Sequence, residues 1–161
     1  MTDRSSMVVV REASFPEDEA AVSALLEDYL KQTEAEKADH DLTPRAAALP
    51  DRYAHEITDP EKSLAGMRVL VASVDGVDRG IIVVSRGAEV SEIKRFWTTP
   101  PARGHGVGSA LIGEALRHAA RPVRLSVWDW REPAIRMYRG LGFSPAVPWD
   151  ERERLLFLEL I

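Results

Sequence analysis

The residues whose types and spacing could do chemistry most directly are Arg103-Gly104-His105-Gly106-Val107-Gly108. They follow a strand-like run, Glu89 to Trp97, and a Pro100-Pro101 break, and they open a helix-like run from Val107 to Ala120. A strand, a glycine-rich loop and a helix together make a ready anion site. Backbone N–H groups at a helix start lack intrahelical partners and carry partial positive charge. The loop is not a Walker A sequence, because no Gly-Lys-Ser/Thr follows at the required spacing. It is not Gly-x-Gly-x-x-Gly either, because the glycines fall at 104, 106 and 108. A phosphate or pyrophosphate held here is presented differently from those two cases.

The elements that must position this loop are legible in order. Met7 to Arg11 reads as a strand rich in β-branched residues. Ser14 is a candidate N-cap, with Pro16 and acids in the first turn. Ala21, Val22, Leu25, Leu26, Tyr29 and Leu30 then recur at helical spacing to about Lys31. Residues 32–63 are polar and carry Pro44, Pro50 and Pro60, which predicts a short helix or two joined by loops. Arg68–Ser73 and Arg79–Ser85 flank Asp75-Gly76 as a hairpin. After the loop and its helix come a strand at Arg124–Trp128 and a short helix with Pro133 near its start and Gly142 as its stop. Strands at Phe143–Val147 and Arg154–Leu160 end the chain. The order predicts one α/β or α+β sheet domain over residues 1–161. Within it, strand 89–97, its helix and strand 124–128 form a parallel βαβ unit.

Composition narrows the function classes. The chain has 161 residues, 45% hydrophobic and 29% charged, enough for a full core. It has no cysteine, which excludes disulfides, a thiol nucleophile and cysteine metal sites. His40, His55 and His118 have no metal-ligand spacing, so no metal is expected. No signal peptide is visible at Met1 to Ser6, and no window approaches the length of a membrane span. A cytoplasmic protein without a membrane partner is the expectation. The net charge is −5. From Glu12 to Glu61 there are 14 acids against 4 Lys/Arg; from Lys94 to Arg139 there are 9 Lys/Arg against 3 acids. The basic part suits a polyanionic ligand and the acidic part suits a cation. Nucleic acid is disfavoured by the acidic total.

Two motifs carry a resemblance. Arg103-Gly-His-Gly106-Val-Gly108 is similar to Arg/Gln-x-x-Gly-x-Gly/Ala, and Ala134-Ile-Arg-Met-Tyr138-Arg-Gly-Leu-Gly142-Phe143 is similar to Ala-x-x-x-Tyr-x-x-x-Gly-Phe. In that order, with one strand between them, they resemble the GCN5-related N-acetyltransferases over about residues 89–143. The resemblance implies a mixed, mostly antiparallel sheet with helices on both faces, whose central parallel βαβ unit splays around an acyl-CoA. It implies acetyl-CoA as cosubstrate, an amine acceptor on a small molecule or peptide, and a possible homodimer.

The resemblance also assigns roles. Backbone amides of Gly104, His105, Gly106, Val107, Gly108 and Ser109, with Arg103, would hold the pyrophosphate. Backbone groups of Phe96, Trp97 and Thr98 would pair with the pantetheine arm like an added strand. Tyr138 matches the family's general acid. Glu92, then Glu89, is the candidate general base, unless a water path replaces both. Three positions before the motif alanine, where many relatives have Asn, this chain has Arg131. Arg131 or Asp129 is then the candidate for that contact. Trp97, Trp128 and Trp130 read most simply as core or wall residues. Acceptor specificity would rest on residues 29–65 and 144–152, where no motif guides the reading. A non-catalytic acyl-CoA-binding module and a nucleotide-phosphate binder are the alternatives.

Overall fold

The computed structural model describes residues 7–45 and 48–161; the N-terminal stretch read above for a leader lies outside them. Seven strands form one sheet: β1 (Val8–Glu12), β2 (Arg68–Val74), β3 (Val77–Arg86), β4 (Ser91–Thr98), β5 (Val123–Trp128), β6 (Ser144–Pro145) and β7 (Leu155–Leu160). Their spatial order is β1-β2-β3-β4-β5-β7-β6. Every neighbouring pair is antiparallel except β4 and β5, which are parallel as the βαβ reading requires. The helices are α1 (Glu19–Asp39), α2 (Asp51–Thr58), α3 (Pro60–Ser63), α4 (Val107–His118) and α5 (Glu132–Gly140).

The period of two along β2 and β3 divides the core into two layers. Val69, Val71, Ile81 and Val83 face α1 and pack with Val22, Leu25, Leu26 and Trp97. Leu70, Ala72, Ile82 and Val84 face the other way and pack with Leu111, Ile112 and Ala115 of α4 and with Ile135 and Tyr138 of α5. Each fully buried Leu or Ile contributes about 1.5–3 kcal/mol. Helices therefore cover both faces, and α4 sits hard on β3. A Cβ added at Gly80 would lie 2.8 Å from side-chain atoms of both Val107 and Leu111.

Two sequence expectations are corrected here. The first helix does not stop near Lys31 but runs to Asp39. The apolar stripe thins after Leu30, yet Gln32-Thr-Glu-Ala-Glu-Lys37 are mostly strong helix formers, and Lys37 pairs with Glu34 at 3.0 Å. Ser14 is not the N-cap. Residues 15–18 make turns first, Asp18 takes the N-cap position, and its carboxylate accepts the Ser14 N–H at 2.9 Å.

Strand β4 carries a bulge that decides what its side chains face. Val83 pairs with Arg95 but Val84 pairs with Ile93, so Lys94 is an extra residue. Ile93 and Phe96, three apart, consequently pack into the same layer, with α4 and α5. A regular strand would send them to opposite faces. The bulge turns Arg95 toward α1, where Trp97 also lies.

Candidate active site

The register between β4 and β5 is short: Ser91 faces Val123, Glu92 faces Arg124 and Ile93 faces Leu125, and there the pairing stops. β5 continues to Trp128, paired all along with β7. Past Ile93 the two strands diverge; one cavity opens between them, and a larger one lies beyond, between the end of β4, the start of α4 and residues 130–137.

The larger, about 580 Å³, runs from the ends of β4 and β5 to the start of α4. Its wall includes Phe96, Trp97, Thr98, Arg103, Ser109 and Arg131. The loop glycines Gly104, Gly106 and Gly108 line it too. Gly104 and Gly106 have φ of +83° and +80°, the left-handed region that other residues enter at a cost of about 1–2 kcal/mol. Nothing lies within 4 Å of where a Cβ would stand on either, so that side of the loop backbone is open to a ligand. The first bond entering α4 is Ala110 N–H to Gly106 O at 3.0 Å, which leaves the preceding helical amides without intrahelical partners. Arg103 lies 4.8 Å from the Trp97 ring centre and donates its Nε–H to Thr98 O at 3.2 Å. This fixes the guanidinium at the cavity mouth.

His105 is exposed and is not part of the cavity wall, and its N–H donates to Ala102 O at 3.3 Å. Val107, the first residue of α4, is buried against β3 at Gly80, so only its backbone is available.

The smaller cavity, about 210 Å³, is the wedge where β4 and β5 part. Tyr138 and Glu92, the candidate acid and first candidate base, both line it. Tyr138 is buried, its ring edge-on to Phe96 with centres 6.3 Å apart and tilted against Phe143 at 5.7 Å. Burial pushes its phenol well above the ordinary range, the neighbouring Tyr29 adds to the rise, and Arg131 opposes it. The hydroxyl is therefore a proton donor at any neutral pH. Glu92 is half-buried, with Oε2 at 3.7 Å from Arg124 Nη2. Glu89 is corrected: it does not lie on the strand but in the bend before it, exposed and outside both cavities. The β3–β4 turn takes those residues, since Gly87 N–H donates to Val90 O at 2.8 Å.

Arg131 lines both cavities, but its guanidinium is tied to α1. Nε donates to Glu36 at 2.9 Å, Nη2 donates to Thr33 Oγ1 at 2.9 Å, and Trp130 Nε1–H donates to the same Glu36 at 2.6 Å. Burial works against ionisation of Glu36, yet the hydrogen bonds from Arg131 and Trp130 outweigh it and hold the carboxyl below its usual range. Asp129 pairs with Arg154 instead of facing either cavity. Trp97 and Trp128 are buried, as their core reading expected. Trp130 is half-buried between Trp128 and His40, stacked on each at 5.0 and 4.0 Å.

Among the wall residues not singled out from the sequence are the charged or polar Tyr29, Glu36, Arg95 and Arg152. Tyr29 lines the wedge from α1, edge-on to Trp97 at 5.9 Å, with the Arg95 and Arg131 guanidinium carbons 5.9 and 5.7 Å from its ring centre. Arg95 and Arg152 line it too, and Glu36 lines the larger cavity. A tyrosine on an otherwise aliphatic helix stripe was the one available signal, since its hydroxyl needs a polar place at the end of a buried ring. Among the described residues no group of three or more His, Asp or Glu side chains could hold a metal ion, and no helix is long and apolar enough to cross a membrane.

Comparison with known proteins agrees with this architecture. The acetyltransferase (GNAT) family matches the chain over residues 22–143. A curated relative, an uncharacterized N-acetyltransferase of Methanocaldococcus jannaschii, is 38% identical over 60 residues, which cover 35% of this chain and 26% of that protein. The match thus spans about a quarter of the relative's length. Among solved structures, the PaiA N-acetyltransferase of Thermoplasma acidophilum in complex with coenzyme A superposes with a TM-score of 0.70 at 19% identity, over 95% of this chain and 98% of that one. The yncA protein of Salmonella typhimurium, solved with its cofactor acetyl-CoA, gives 0.63 at 23% identity, over 95% and 92%. The ribosomal-protein-S18-alanine N-acetyltransferase of Escherichia coli gives 0.64 at 17%, over 96% and 93%. At these identities the likeness is one of fold.

Proposed function

The chain belongs to the acetyltransferase (GNAT) family, and from that premise we propose that it moves an acetyl group from acetyl-CoA to a primary amine by direct attack. The observation that carries the reading is the early end of the β4–β5 register at Ile93 and Leu125. The gap it leaves has a glycine-rich helix start at one end and, at the other, a cavity whose wall holds a buried tyrosine and a carboxylate. The coenzyme A complex of the Thermoplasma protein and the acetyl-CoA complex of the Salmonella protein support the choice of ligand.

The residues present suit that ligand. Gly104, Gly106, Gly108 and Ser109 offer backbone to a pyrophosphate, and Arg103 adds charge. Beyond Ile93, alternate N–H and C=O groups of β4 look across the gap with no strand partner, so Phe96, Trp97 and Thr98 can pair with an amide-bearing arm. Acetyl-CoA, when bound, supplies the activated thioester. Glu92, directly or through water, takes the proton from the attacking ammonium. As the C–N bond forms and the C–S bond breaks, Tyr138 delivers its phenolic proton to the departing sulfur.

The first test is thermal. CoA at about a hundred times its Kd stabilises the fold by about 2.7 kcal/mol, a shift of several degrees. Gly106→Ala lowers the melting temperature of the free protein, by strain of about 1–2 kcal/mol, and loses most of the CoA-induced shift, because its methyl enters the open side of the loop. A melting temperature indifferent to CoA and acetyl-CoA would sink the proposal. A shift with CoA but no thiol release from any amine would leave a binding module.

A further inference from the structure

The acidic N-terminal half suits a cationic acceptor by charge count, but the walls of the wedge point the other way. Four cations line it, Lys94, Arg95, Arg131 and Arg152, and a single carboxylate, Glu92. The acids that pair with these arginines stand behind them, outside the wedge wall. Glu56 grips Arg95 through two bonds of 2.8 and 3.0 Å, Glu36 holds Arg131 at 2.9 Å, and Asp150 holds Arg152 at 2.7 Å. Much of the N-terminal acidity is thus spent on the chain's own cations.

The guanidiniums differ in what they have left to give. Arg95 uses all three nitrogens, the third on Lys94 O at 3.3 Å. Arg131 and Arg152 each engage Nε and Nη2; Arg131 also meets the Tyr29 hydroxyl, and among the described residues no partner is found for the Nη1 of Arg152. Two fixed guanidinium ends thus border one small cavity, beside the Tyr29 and Tyr138 rings and with Glu92 as its acid. Planar donors of this kind suit a carboxylate. The remaining charged neighbour, Arg124, stands on Glu92 at 3.7 Å and so adds to the positive side.

We propose that the acceptor is a small amine that also carries a carboxylate, an amino acid in chemical type, with the carboxylate read by Arg131 and Arg152 and the ammonium turned toward Glu92. This rests on the acetyl-transfer reading and narrows its acceptor. A cavity of about 210 Å³ has room for a molecule of that size. Arg152 is the specificity residue to alter first. It lies in the loop before β7, its side chain 57% exposed, so its replacement leaves the fold standing.

Thiol release from acetyl-CoA is measured with matched sets: alanine, methionine and phenylalanine, the amide of each, the decarboxylated amine of each, and spermidine. In at least one set the free amino acid is expected to exceed its amide and its amine by at least about tenfold in kcat/KM. Arg152→Gln brings that ratio toward one, and Arg152→Lys restores part of it, with melting curves as the check on folding. If amides, plain amines or spermidine match or outpace the amino acids, the carboxylate inference is overturned while acetyl transfer stands. If none of the compounds releases thiol although CoA still shifts the melting temperature, the amino-acid inference falls, while acetyl transfer falls only if peptides and other amines also fail.

Discussion

Tyr138→Phe is expected to lower kcat by about 10²–10⁴-fold, the usual worth of a positioned proton donor, while the Kd for CoA stays within about twofold. The substitution deletes one oxygen and leaves the ring between Phe96 and Phe143, where its edge contacts persist. It removes the only phenolic proton on α5, in a wall whose other phenol, Tyr29, stands on α1. Single-turnover kinetics and CoA titration separate the two effects; an unchanged kcat would strip Tyr138 of its role. The pH profile adds a second check. Burial holds the phenol protonated well above its ordinary pKa of about 10, so Tyr138 contributes no alkaline fall in rate at working pH. The same shift bears on stability. Above about pH 10 the unfolded chain loses this proton and the folded chain keeps it, so the contribution of Tyr138 is complete below that pH and declines as pH rises beyond it.

Leu111→Ala should cost about 2–5 kcal/mol and lower the melting temperature by about 4–20 °C. Leu111 is fully buried in the layer between α4 and the sheet, so its truncation leaves a cavity there. Because α4 carries the glycine loop at its start, the loss should appear in CoA affinity as well as in stability. A second substitution sharpens the argument. Gly80→Ala alone drives its methyl to within 2.8 Å of Leu111 and Val107 and 3.2 Å of Trp97 O, an overpacking worth about 1–3 kcal/mol. Combined with Leu111→Ala, that methyl enters space the leucine has vacated. The double variant should then be more stable than the sum of the single losses by about 0.5–3 kcal/mol. Strict additivity in thermal or denaturant melts would mean that α4 does not bear on β3 at this point.

Features written in local sequence were legible before the structure. The glycine loop, the helix it opens and Tyr138 on its short helix depend on residues within a few positions of one another, and the parallel βαβ unit follows from the order of such local elements. What was hidden depends on partners far apart in the chain. Glu36 meets Arg131 across 95 positions, and Glu56 meets Arg95 across 39, so neither pair leaves a pattern in one sequence. The bulge at Lys94 is hidden for another reason. Strand parity is set by pairing with β3, and no residue type at 92–96 announces the extra position. Glu89 was misread because a run from 89 to 97 alternates well enough to pass as one strand, while the bend that ends before Ser91 is made by backbone bonding. Residues 29–65 and 144–152 offered no motif, yet Tyr29, Glu56, Asp150 and Arg152 come from them and build or brace the wedge.

The parting of β4 from β5 also limits how stable this protein can become. Each ladder bond the strands leave unmade forgoes about 1 kcal/mol, within a total margin of about 5–15 kcal/mol for an ordinary domain. Substitutions that lengthen the β4–β5 register past Ile93 should raise the melting temperature and abolish CoA binding in one step, whereas stabilising changes on β1, β2 or β6 should leave CoA binding intact. Robustness and ligand capacity compete for the same few backbone groups, and selection for either one works directly against the other there.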